Sequence, residues 1–351
     1  MLRRLKRLIL LAFVGAALAY GGLYFLHQDF FKPGPSTAAT RVTVEPGASV
    51  RAILTRLDDQ GVIRNARMTE WYLRLRKQRP NIQVGMYEIP AQASPAQIVE
   101  LFRAGRVILE QLTIVEGSTF AEARRVLEQH PEVQNTLKGK TDAEVMAALG
   151  HAGEHPEGRF FPDTYRFASR TTDAEILRIA YVAMSQLLEK AWAEKKPDLP
   201  VKTAYEALVL ASVVEKETGL PAERPRIAGV FTTRLRQGMK LQSDPTIIYG
   251  LGEKYDGDIR SRDLVTDTPY NTYTRAGLPP TPIALPGREA VMAAVRPDET
   301  GDIFFVATGD GTGSHVFSRT LEEHNEAVRK YLARLRAPPP SRSTLQRDNT
   351  K

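Results

Sequence analysis

The longest uninterrupted apolar run in the chain is its first. Residues 8–26 read LILLAFVGAALAYGGLYFL without a charge, and at about 1.5 Å per residue a helix of that length reaches roughly 28 Å, the thickness of a bilayer's hydrocarbon core. Residues 32–41, KPGPSTAATR, are rich in Pro, Gly, Ser and Thr and predict a short flexible linker. Three times thereafter a β-prone segment passes through a turn into a helix start: VTVEPGASVRAIL from Val42, MYEIPAQASPAQIVELF from Met86 and LTIVEGSTFAEARRVL from Leu112. Ser94, Pro95 and Gln97 have the order of a capped helix start with a capping box, and Thr119 with Glu122 repeats the box. Residues 66–77 predict another helix, with Met68, Trp71, Tyr72 and Leu75 at helical spacing.

Beyond about residue 125 the helical period dominates. Residues 173–190, 205–218 and 223–236 are helix candidates, the last with Ile227, Phe231 and Leu235 in one stripe ended by Gly238. IFFVAT and GTGSHVF predict two strands across a Gly-rich turn, and residues 320–336 a final helix. The last fifteen residues have the composition of a disordered tail. The expected fold is α+β: an N-terminal transmembrane helix, a small α+β domain and a larger mixed helical and β catalytic domain. Expected boundaries are a cytoplasmic basic stub at 1–7, the transmembrane helix at 8–27, a linker at 28–41, the small domain at 42–111, the large one at 112–336 and the tail at 337–351. Two helices against a short sheet make the small domain resemble LysM-type glycan-binding modules.

Charge adds an orientation. The net charge is +7, of which Arg3, Arg4, Lys6 and Arg7 supply four, so the remainder is weakly basic and shows no nucleic-acid-binding pattern. Those four precede the apolar run while only Lys32 closely follows it, which places the N-terminus in the cytoplasm and the rest outside. Ala17-Leu18-Ala19 also has the small-x-small pattern of a signal cleavage site, but the apolar run continues for seven more residues. With no cysteine, disulfides, thiolate metal sites and a cysteine nucleophile are excluded.

No P-loop, dinucleotide fingerprint, His-Glu-x-x-His or Gly-x-Ser-x-Gly stands in the sequence. The conspicuous segment is EALVLASVVEKETG, residues 206–219, apolar on every face and ending in charge. A buried helix of that kind carries Glu215, Lys216 and Glu217 to the border of core and solvent, where lost hydration raises a carboxyl pKa towards that of a general acid. The helical wheel does not choose between Glu215 and Glu217; two residues apart, they point to nearly opposite faces and cannot easily flank one bond as an acid and nucleophile pair. GMKLQSDPTIIYGLG (238–252) makes Ser243 or Asp244 an N-cap before Pro245, and TPYNTYTRAGLPPTPIALPG (268–287) is a polar-aromatic loop suited to sugars.

These strings, with ASVVEKET, EGRFFPDTY and GSHVFSRTLEEHN, closely resemble the endolytic murein transglycosylases of the MltG (YceG-like) family over nearly the whole chain. The resemblance implies a membrane-anchored enzyme that cleaves the β-1,4 bond between N-acetylmuramic acid and N-acetylglucosamine in nascent glycan strands without water, leaving 1,6-anhydro ends. It implies Glu215 as general acid and base, substrate positioning by Gln242, Ser243, Asp244, Tyr270, Asn271, Tyr273 and His315, and support from Glu217, Lys216 and Ser212. No metal or cofactor is expected. Expected partners are peptidoglycan strands, the cytoplasmic (inner) membrane through residues 8–27 and peptidoglycan synthases, with no nucleic acid. The alternatives are a non-catalytic glycan-binding scaffold of the elongation machinery and a conventional hydrolase that leaves reducing ends.

Overall fold

The computed structural model describes residues 2–78 and 80–336, so the tail expected at 337–351 lies outside the described residues. The chain divides into two compact units. The first takes in residues up to Gln111 together with Glu132–Gln134 and Arg166–Thr171; the second takes in Leu112–Pro131, Asn135–Tyr165 and the chain from Thr172 on.

In the first unit α1 (Leu2–Phe31) is followed by β1 (Thr40–Val44), α2 (Val50–Asp59), α3 (Ala66–Leu75), β2 (Gly85–Ile89) and α4 (Pro95–Arg103). β1 and β2 pair antiparallel, Thr40 opposite Ile89 and Val44 opposite Gly85. The period-2 alternation in β1 turns Val42 and Val44 inward, onto Leu57 of α2, Tyr87 and Ile89 of β2 and Phe102 of α4. The predicted capping box of α4 is present, Ser94 accepting from the Gln97 backbone and Gln97 from that of Ser94. α1 is the one helix among the described residues long and apolar enough to cross a membrane, and its apolar stretch is unburied.

The linker, placed at 28–41 and expected to be flexible over 32–41, is instead tied down by hydrogen bonds at Gly34 and Ser36. α1 continues to Phe31, and Phe30 is buried with its ring stacked 4.1 Å from that of Tyr72. Gly34 N–H donates to Gln92 O at 3.1 Å, and Gln92 N–H to Ser36 O at 2.8 Å. A Cβ on Gly34 would stand 2.4 Å from Val62 O, so this glycine serves close backbone approach and not mobility.

β3 (Leu109–Thr113) and β4 (Thr164–Ala168) form a second two-stranded sheet, both strands carrying the chain between units. The second unit contains α5 (Phe120–Gln129), α6 (Asp142–Leu149), α7 (Asp173–Ala193), α8 (Ala204–Glu217), α9 (Arg224–Arg236), α10 (Asp244–Leu251), α11 (Ser261–Val265), α12 (Arg288–Val295), the antiparallel hairpin of β5 (Phe304–Ala307) and β6 (His315–Ser318), and α13 (Leu321–Arg336). α8 is its axle. Every residue from Ala207 to Glu215 is buried, with α7, α9 and α12 packed around it. Such all-round burial follows from a sequence with no polar face.

Candidate active site

α8 starts where the Thr203 hydroxyl accepts the Glu206 N–H at 3.1 Å and ends at Glu217, with Thr218 extended. Its apolar body fixes where the last turn emerges, and the two glutamates leave that turn in different directions. The Glu215 carboxylate is buried and both its oxygens are hydrogen-bonded: Oε1 accepts from Arg224 Nη2 at 2.8 Å and Oε2 from Gly287 N–H at 2.9 Å. Arg224 is itself buried, and Glu116 Oε2 lies 3.7 Å from the same guanidinium. Burial raises the Glu215 pKa, opposed by the Gly287 amide and the Arg224 charge, both of which favour the ionised form.

Glu217 faces a cavity of about 240 Å³ that it lines with Arg234, Gln242, Asp244, Tyr273, His315 and the β5 backbone neighbours Phe305 to Ala307. Ser243 Oγ donates to its Oε2 at 2.8 Å. Burial pushes the Glu217 carboxyl up to about 7, the Asp244 charge adding to the rise while the Ser243 hydroxyl and the Arg234 charge oppose it. Arg234 is locked by two carbonyls, Nε to Ile303 O at 2.7 Å and Nη1 to Leu241 O at 2.6 Å, which makes it a fixed cation in the cavity wall. Gln242 holds a left-handed backbone, φ 52°, with its N–H on Thr272 O. A strained conformation of this kind at a cavity rim is held by its surroundings and aims a side chain.

Of the expected positioning residues, Gln242, Asp244, Tyr273 and His315 therefore meet at one cavity, and Ser243 reaches it through Glu217. Tyr273 OH donates to Asp244 Oδ1 at 2.6 Å, and burial raises its pKa. His315 is oriented by Glu223, which takes its backbone N–H at 2.9 Å and its ring Nδ1 at 2.7 Å. Tyr270 and Asn271 go elsewhere. The Tyr270 ring packs 4.9 Å from that of Tyr249 and its hydroxyl meets Thr281, while the buried Asn271 amide donates to Asp263, Leu264 and Thr266 carbonyls. Lys216 is exposed and donates to Gly117 O; Ser212 is buried in the core, bonded to Val209 O and Ile283 N–H. Sequence reading missed Arg234 and Glu223. Arg234 had a legible signal: it stands seven residues after Ile227 and three after Phe231, so the helical period puts a charge on a buried stripe. A larger cavity, about 510 Å³ between β6 and α13, contains none of the expected residues.

Residues 42–330, the small and large units alike, match the model of the YceG-like family. The chain belongs to that family. This YceG-like chain is 29% identical over 335 residues to the endolytic murein transglycosylase of Bacillus subtilis strain 168, covering 90% of the chain and 92% of the relative. It is 27% identical over 369 residues to the endolytic murein transglycosylase of Streptococcus pneumoniae D39, covering 93% of the chain but 65% of that longer relative. Among solved structures, a putative YceG-like protein of Listeria monocytogenes superposes with a TM-score of 0.51 at 30% identity, covering 83% of this chain and 99% of that one.

Proposed function

We propose that this YceG-like protein is a membrane-anchored endolytic peptidoglycan lytic transglycosylase whose general acid and base is Glu217. The observation that carries the reading is a carboxyl group raised to about 7 by burial and facing a cavity lined by amide, carboxylate, phenol and imidazole groups. A group with that pKa is half-protonated at neutral pH, able to give a proton and then take one. The names of the relatives support the activity and the polymer. The resemblance in sequence pointed to Glu215, whose pKa burial also raises; its oxygens accept from Arg224 and the Gly287 amide, both of which favour the ionised form, whereas Glu217 faces the cavity and is raised to about 7.

In the reaction, Glu217 protonates the bridging oxygen as the C1–O bond of the muramic residue breaks. The carboxylate then accepts the proton of the muramic C6 hydroxyl as that oxygen bonds to C1, closing the 1,6-anhydro ring. No water is consumed and the acid is restored. A single carboxyl suffices, in keeping with the nearly opposite directions of Glu215 and Glu217. The small unit, in which α2 and α3 lie in sequence between the paired strands β1 and β2 and α4 follows them, supports a LysM-like glycan-binding role. α1 supports single-pass anchoring in the cytoplasmic (inner) membrane with the N-terminus inside, a location shared with peptidoglycan synthases as partners.

The test is mass spectrometry of peptidoglycan digested by the full chain. Glu217→Gln is expected to lower anhydro-ended products by at least about 100-fold, with circular dichroism unchanged. Glu215→Gln, whose amide oxygen still accepts from Arg224, is expected to stay within about tenfold of wild type. The reverse pattern would move the proton to Glu215. Undiminished products in both variants would remove the mechanism, and borohydride-reducible ends would make the protein a hydrolase.

A further inference from the structure

α3 presents a surface that neither the core of its unit nor the proposed chemistry uses. At about 100° per residue Met68, Trp71 and Leu75 share an arc of roughly 60° bordering Tyr72. Trp71 is 60% exposed and Leu75 51%, while Tyr72 on the border is buried. A second run of charge lies with it: five basic residues, Arg64, Arg67, Arg74, Arg76 and Lys77, against Glu70 alone. Arg74 is paired with Glu70 at 2.8 Å; Arg67, Arg76 and Lys77 are exposed and have no ion-pair partner among the described residues.

The position of this face relative to the bilayer is set by α1. Tyr72 stacks on Phe30 and its hydroxyl lies 3.1 Å from His27 Nδ1, and Leu26, the last residue of the apolar run, packs against the same core. Phe30 lies four positions along the helix from Leu26, about 6 Å of rise, and the headgroup layer beyond the hydrocarbon is itself roughly 5–7 Å deep. Phe31, 53% exposed, sits edge-on to Tyr72 at 6.3 Å and extends the apolar patch. Because residues 28–36 are tied to the unit by backbone hydrogen bonds, α3 cannot drift away from that depth.

We propose that the Met68, Trp71 and Leu75 face of α3 lies in the headgroup layer of the membrane that α1 crosses, with Arg67, Arg76 and Lys77 on anionic lipid phosphates. The inference rests on the reading of α1 as membrane-spanning. Aromatic side chains belong at that depth, where one side is apolar and the other wet, and basic residues gain from anionic headgroups. The face thus holds the small unit flat on the bilayer and fixes the height from which the chain continues to the second unit.

The test uses full-length protein in vesicles of phosphatidylcholine and phosphatidylglycerol whose acyl chains are brominated near the headgroup. The chain has two tryptophans, so Trp192→Phe leaves Trp71 as the sole reporter. Its emission is expected to be roughly halved by the brominated lipid and shifted to the blue. Arg67→Glu with Arg76→Glu is expected to abolish the dependence of that quenching on phosphatidylglycerol. A control carrying Leu18→Trp with Trp71→Phe and Trp192→Phe reports α1 alone. Quenching of the control with an unquenched Trp71 overturns the proposal and leaves the anchor intact; no quenching in either removes the anchor and the proposal with it. A Trp71 that ignores lipid but shifts on addition of glycan strands assigns the face to glycan and overturns the proposal.

Discussion

At Glu217 the competing influences on one carboxyl are separately removable. Burial raises its pKa to about 7, Asp244 pushes the same way, and the Ser243 hydroxyl pulls it down. A general acid works protonated, so the rate of strand cleavage is expected to fall as pH rises through about 7. Ser243→Ala deletes the hydrogen bond to the ionised form and moves that alkaline limb up; Asp244→Asn deletes a repelling charge and moves it down. Shifts of about 0.5–1 unit in these opposite senses are expected, read from initial rates between pH 5 and 9. Movement in the same direction in both variants, or none in either, would show that another group sets the limb. Ser243 also shows what sequence reading misses at this scale. It stands where an N-cap belongs, at the start of α10, yet it makes no side-chain cap bond because its hydroxyl serves Glu217. Nothing local announces a partner 26 positions away.

Among the elements, those written in short-range chemistry were legible. The capping boxes at Ser94 and Thr119 have the predicted partners, and α7, α8, α9 and α13 begin and end within a few residues of their expected limits. What the pattern did not show is close approach between elements distant in sequence. Gly34 read as linker composition and is a packing contact. Gly229 is similar: it sits inside α9, where alanine would ordinarily favour the helix by about 0.8–1.0 kcal/mol. A Cβ there would stand 1.9 Å from Asp298 O, backbone that is held in place by its own N–H bond to Pro225 O at 2.9 Å. Overpacking against a fixed carbonyl costs about 1–3 kcal/mol or more, so the clash outweighs the propensity gain. Gly229→Ala is therefore expected to destabilise the second unit by roughly 1–2 kcal/mol net, measured as a lower urea midpoint by Trp192 emission in the Trp71→Phe background. A midpoint equal to or above the parent's would mean that the segment at Asp298 yields freely.

On the scale of the whole molecule, burial makes three carboxyls of the second unit harder to ionise, Glu215 among them, and raises two of them to about 7. Glu217 is one. The other is Glu157, in the segment EGRFFPDTY, buried between Phe120 N–H at 2.9 Å and Tyr249 OH at 3.0 Å and likewise raised by burial to about 7. Both have an ordinary value of 4.5. Between those two values the native state holds protons that the unfolded chain has lost, so the contribution of these two groups to stability is full below about 4.5 and is lost as pH rises through about 7. Asp267 and Asp310, held down to about 2 by hydrogen bonds, titrate below that window and act in the opposite sense there. His155 and His324, lowered by burial, would mask part of the decline within it. A comparison that cancels them sets wild type against Glu157→Gln with Glu217→Gln, each in the Trp71→Phe background. The two proteins are expected to have nearly equal urea midpoints at pH 4.5, and the double variant to be the more stable at pH 8, by on the order of 2–5 kcal/mol. A gap that is constant with pH would show that neither carboxyl binds its proton more tightly in the folded state, and would remove the physical basis for Glu217 as an acid at neutral pH.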